Sequence, residues 1–133
     1  MFYIADLQAQ AYDELHDVVP GAVRAKGYAF VHNDIFGFLF AAALTTTEEV
    51  AFITRASQVE VDKTTGTGND IQEGEYVYAT LASNFQTVTA NPTGVIGTDY
   101  YFVGVAKKRA AASDARVLIR FWGDEYNHAD RAA

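Results

Sequence analysis

The 133-residue chain contains no cysteine. Disulfides and thiolate metal sites are therefore excluded, and the fold must rest on its core alone. That absence suits a reducing cytoplasm. Basic residues are also few: ten Lys and Arg stand against seventeen Asp and Glu, a formal net charge of -7. Nucleic-acid backbones are held by clustered Lys and Arg, so the whole-molecule field has the wrong sign for such a partner. No apolar run approaches the roughly 18 residues of a membrane span. The longest, IFGFLFAAAL at 35–44, is broken by Gly37 and reads as a buried strand running into a turn. No basic stretch followed by an apolar one stands at the start, so neither a signal peptide nor a membrane partner is expected.

Half of the residues are hydrophobic and 14% are aromatic, enough for one well-filled domain without covalent staples. The pattern is that of strands separated by turn residues. In GEYVYATLASNFQTVT (74–89) two alternating runs flank a small polar turn. GYAFVH (27–32) and NDIFGFLF (33–40) form a predicted hairpin around Asn33-Asp34, with Phe36, Phe38 and Phe40 on one face. EVAFITRASQVEVDK (49–63) ends in clean alternation and is followed by a polar loop at 64–74. YYFVGVA (100–106) and ARVLIRFWG (115–123) are joined by KKRAAASD, and Val117, Ile119 and Phe121 share the face opposite Arg116 and Arg120. The first twenty residues read either as an extended arm leading into a strand or as a short helix stopped by Pro20. Some seven or eight short strands predict an all-β fold, a small compact β-barrel or sandwich. The arm is assigned to 1–13, the barrel to 14–123 and a mobile tail to 124–133, with one short helix as the alternative within the arm.

Reactive constellations are missing as well. KTTGTG (63–68) matches one element of serine β-lactamases, but Ser57, Ser83 and Ser113 are followed three positions on by Glu60, Gln86 and Arg116 instead of the required lysine. No Gly-Lys-Ser/Thr makes these glycines a phosphate loop. His16, His32 and His128 lack any metal-ligand spacing. The acids Asp62, Asp70, Glu73 and Glu75 flank a loop without the calcium-loop pattern, and they would serve a hydrolase only at glycosidase separation. Trp122 with Tyr100, Tyr101 and Tyr126 supplies an alternative reading, a small-ligand or carbohydrate-binding barrel with a stacking platform. No cofactor, metal or catalytic residue is assigned.

Taken in order, VPGAVRAKGYAFVHNDIFGF (19–38), VEVDK (59–63), IQEGEYVYATLASNFQTVT (71–89) and YFVGVAKKRAAASDARVLIRF (101–121) resemble the small decoration, or cement, proteins of tailed-phage capsids, lambda head-decoration-like in role. The resemblance implies a β-tulip-like barrel and a non-enzymatic virion protein. It implies binding to the outer face of an expanded icosahedral capsid, assembled in the bacterial cytoplasm. The implied partners are the major capsid protein and further copies of this chain in a homotrimer. It also implies an N-terminal arm that orders on the capsid, which makes Phe2, Tyr3, Ile4 and Leu7 contact candidates. The basic turn Lys107, Lys108 and Arg109 is the second candidate contact.

Overall fold

A run of 13 residues rich in β-branched and aromatic side chains, VAFITRASQVEVD, organises the molecule as its central strand. In the computed structural model, which describes residues 1–4, 12–32 and 35–123, nine strands form one curled, predominantly antiparallel sheet. The elements are β1 (Phe2–Ile4), β2 (Tyr12–Val18), β3 (Ala29–His32), β4 (Ile35–Leu39), β5 (Val50–Asp62), β6 (Tyr76–Thr80), β7 (Val88–Thr89), β8 (Tyr100–Ala106) and β9 (Arg116–Trp122). The fold is all-β. The helical element among the described residues is a 3₁₀ turn at Leu81–Ser83.

Both edges of β5 are occupied along most of its length. Val59 pairs with Ile4 of β1 on one side and Ile119 of β9 on the other. Further back, Ile53 lies between Leu15 of β2 and Phe38 of β4. The pairing with β2 slips by one residue at Thr54, where Glu14 opposes Arg55 and Leu15 opposes Ile53. Such a slip re-aims side chains. It lets Ile53 and Ala56 both face the main core, while Val50 and Phe52 serve a smaller cluster with Val18, Leu39 and Ala43.

The sheet runs β3-β4-β5-β9-β8-β6-β7 and curls until its parts meet. Lys63, just past β5, forms a parallel bridge with Val88 of β7, and the next amide, Thr64 N, donates to the Val88 carbonyl at 3.0 Å. The side-chain amide of Gln86 closes a second seam. Its Nε2 donates to the Ala29 carbonyl at 2.7 Å and its Oε1 accepts from the Ala29 amide at 2.9 Å. One amide thus reproduces both bonds of a strand pair and satisfies backbone groups that an edge would leave open.

The alternation read from the closing strand holds: Val117, Ile119 and Phe121 are buried, whereas Arg116 and Arg120 are exposed. The predicted hairpin is β3–β4, with Phe36 and Phe38 in the core. Phe40 lies just past β4 and is partly exposed, so it is no third member of that stripe. The loop 64–74 is not a free excursion. Ile71 is fully buried, and its backbone exchanges hydrogen bonds with Ala110, each 2.9 Å.

The largest departure concerns the arm. Phe2, expected to await a partner, is 1% exposed and packs among Phe36, Phe38 and Phe121 at centroid distances of 5.7, 5.6 and 5.4 Å. The reason is that β5 has an open edge opposite β9, and a three-residue strand with one large apolar side chain fills it. Gly27 allows the close approach. It has φ +86, its carbonyl accepts from Phe2 N at 3.0 Å, and an added Cβ would stand 2.5 Å from the Phe2 carbonyl oxygen. Residues 12–18 are strand as well, so the arm–barrel boundary at residue 13 falls inside β2. Leu7, the Asn33-Asp34 turn and the tail 124–133 lie outside the described residues.

Candidate interaction surfaces

Of the first set of contact candidates, Phe2 is a core residue and is unavailable to a partner. Tyr3 is half-buried at the surface. The Arg116 guanidinium lies 4.1 Å from its ring centroid, while Arg116 Nε donates to Asp62 Oδ1 at 3.2 Å and Nη1 lies 3.7 Å from Glu60. These exposed charges stabilise little individually, but together they occupy the Tyr3 ring. Ile4 is held through its backbone opposite Val59.

The basic turn is different. Lys107, Lys108 and Arg109 are all exposed, and among the described residues only Lys107 finds a partner, through a 3.2 Å bond from Nζ to the Ser57 carbonyl. The turn beneath them is fastened from inside. Lys63, 4% exposed, donates from Nζ to the carbonyls of Ala111 (3.1 Å), Asp114 (3.1 Å) and Thr64 (3.0 Å), with Ala112 at 3.4 Å. Its backbone amide donates to Ala115 at 2.9 Å. Burial pushes the Lys63 ammonium below the usual lysine range, and the nearby Asp114 and Asp70 oppose that shift. Asp114 also accepts from the Ala111 amide at 2.8 Å, closing the turn on itself. Three cations are therefore presented on a fixed base.

A second exposed feature was not legible from the sequence. Arg24 and Ala43 form an antiparallel bridge outside the main strands, with bonds of 3.0 and 2.9 Å. That register sets Val23 opposite Leu44 on the face turned away from buried Ala43, and they are 61% and 72% exposed. The sequence signal was weak: Val23 stands alone in PGAVRAKG, and Leu44 closes what reads as a buried run.

The aromatic platform is divided among different surroundings. Tyr101 stacks on Phe85 at 4.3 Å beside the core, whereas Trp122 packs 6.1 Å from Phe102 with the Arg120 guanidinium 5.8 Å from its ring. Tyr126 is outside the described residues. Three of the four acids of the 62–75 region are engaged in local structure, and Glu73 is exposed. Asp62 meets Arg116, Asp70 accepts from Gln72 Nε2 at 2.9 Å, and Glu75 accepts from the Gln72 amide at 2.6 Å. The His32 ring packs against Phe30 and Phe52. Among the described residues no group of three His, Cys, Asp or Glu side chains converges as a metal site would require.

Tyr100 lines instead a cleft of about 370 Å³ between the 64–69 loop and the segments around β6 and β7. Six threonines, Ser83, Asn69 and Asn91 share its wall with Tyr100, Gly68 and Ala82. Neither a protein-family model, nor a curated protein, nor a solved structure matches this chain.

Proposed function

We propose that the chain is a structural virion protein that binds the outer surface of an expanded phage capsid and cements neighbouring major capsid protein subunits. The observation that carries this reading is the basic turn, three exposed cations on a rigid, internally fastened hairpin of a strongly acidic molecule. Such a turn suits an acidic protein surface, where charge complementarity selects the partner and speeds encounter. The ordered strand-and-turn segments of the sequence supply the capsid as that partner. The exposed Val23–Leu44 pair adds an apolar contact of the kind found at protein interfaces.

Phe2 has no place in this contact, because its ring is already in the core. Each copy need bind only weakly. Copies linked as a homotrimer across several capsid subunits raise the effective concentration of each contact. A site assembled only after expansion would confine binding to the expanded shell, and binding would stabilise that state by mass action. Assembly would take place in the bacterial cytoplasm.

The test is co-sedimentation of the purified protein with undecorated expanded capsids and with unexpanded shells. Saturable retention on the expanded form alone supports the proposal. Absence of retention on the expanded form, or equal retention on both, refutes it.

A further inference from the structure

The cleft beside Tyr100 has a lining of unusual chemistry. Ten of its twelve residues carry a neutral hydroxyl or amide side chain, and none carries a formal charge. Ligand pockets of roughly 300–1,000 Å³ are ordinarily apolar with a few polar groups. Here the volume, about 370 Å³, lies in that range, but the polar groups are many and are interspersed with threonine methyl surface. An apolar ligand would cover the wall's polar groups without replacing their hydrogen bonds to water, and an ion would find no formally charged partner in the lining.

The wall is also organised before any ligand arrives. Ser83 Oγ and Thr87 Oγ1 are 2.8 Å apart, Ser83 Oγ donates to the Thr80 carbonyl at 3.1 Å, and Thr80 Oγ1 accepts from the Ala82 amide at 3.3 Å. Thr93 Oγ1 and the Tyr100 hydroxyl are 3.2 Å apart, and Thr89 Oγ1 accepts from the Asn91 amide at 3.1 Å. Across the cleft Asn69 Nδ2 donates to the Thr65 carbonyl at 3.2 Å. The side chains of Thr64, Thr67 and Asn91 are exposed and make no hydrogen bond with any described residue, which leaves their donors and acceptors available at the cleft. Preorganised neutral donors and acceptors around a small volume match the surface of a polyhydroxylated molecule.

We propose that this cleft binds a neutral saccharide of one or two rings, with Asn91, Thr67 and Thr64 as its polar contacts and Tyr100 as its aromatic wall. The inference is independent of the capsid reading, since it uses neither the basic turn nor the Val23–Leu44 pair. It also differs from a Trp122-centred platform in location and in the residues used.

The experiment titrates isotope-labelled protein with maltose, cellobiose and N,N′-diacetylchitobiose into the millimolar range, following backbone amide shifts. Glucuronate serves as the charged control. The expected result is saturable shifts for at least one neutral sugar, confined to residues 64–69, 80–93 and 100. They should be at least tenfold weaker or absent in Asn91→Trp, whose melting temperature should match that of the unaltered protein. Should that variant unfold, Thr67→Val at the exposed rim gives the same comparison. The inference is overturned if no neutral sugar produces saturable shifts, if shifts centre on Trp122, if glucuronate binds as well, or if a folded rim variant binds unchanged.

Discussion

Strand β1 and the turn at 107–115 look alike as prospective contacts, yet the fold treats them in opposite ways. In β1 one aromatic side chain is inserted among Phe36, Phe38 and Phe121, and both backbone edges are matched, against β5 and Gly27. In the turn the backbone is fastened by Lys63 while the charged side chains point outward. Exposure is thus decided by what a segment's neighbours lack. β5 lacked an edge partner and the core lacked a ring, whereas the β8–β9 connection needed only its carbonyls satisfied.

The sharpest way to break this contrast is Phe2→Ala. If β1 belongs to the barrel, the loss should be about 3–5 kcal/mol, as for other buried aromatics, seen as a lowered urea midpoint. An unchanged midpoint would return β1 to the status of a free arm. The double variant with Phe121→Ala should cost less than the two single changes summed, because the rings touch.

Lys63→Met probes the base of the turn. Removing the ammonium leaves several carbonyls without a donor, at about 1–3 kcal/mol. Amide exchange should accelerate at Gly66, Ala110 and Asp114 more than in β1. Uniform acceleration would show that Lys63 serves the whole barrel instead.

The charges above it should behave otherwise. Lys108→Glu with Arg109→Glu should leave the melting temperature unchanged and weaken retention on expanded capsids about tenfold, or ~1.4 kcal/mol. Loss of stability without loss of retention would reverse the assignment.

The smallest effect is in alkaline solution. Burial, with Tyr76 adding to it, raises the Tyr78 phenol above its ordinary value of 10.0. The folded state then keeps a proton that the unfolded chain releases, so stability falls as pH rises beyond 10. Lys63 acts with the opposite sign. Its lowered value means that the folded state gives up a proton first, so stability rises with pH below the ordinary 10.5. Tyr78→Phe should therefore flatten the decline in urea midpoint above pH 10, and Lys63→Met should steepen the net decline. Identical pH profiles for both variants and the parent would remove these two groups from the account.

Much of the architecture was legible in the sequence because period-two alternation and turn residues are local signals. The β3–β4 hairpin, the long β5, and the buried stripe Val117, Ile119 and Phe121 all follow from residues a few positions apart. The position of β1 was not, because its pairing joins residues 2–4 to 59–61 and nothing within MFYI encodes that distance. Nor was the role of Lys63, whose partners at 111–114 are carbonyls common to every residue. The Thr-lined cleft shows the same limit. Its hydroxyls are scattered from 64 to 100 in the chain and gather only where the 64–69 loop meets the segments around β6 and β7.

The seating of Phe2 against Phe121 has a bearing on how the chain folds as it is made. β1 is synthesised before its strand partner at 59–61, and the last ring of its cluster follows only after another sixty or so residues. β1 can pair once β5 is made, but the contact with Phe121 and the pairing of β5 with β9 cannot form while β9 is still unmade, so Phe2 is without its full cluster until then. Such a topology favours completion of the fold only once β9 has been made, on the slower timescale of non-local β proteins. During that interval the β5 edge that β9 will cover is a place where two nascent copies can join wrongly. A chain whose net charge keeps its copies apart is better protected from that error.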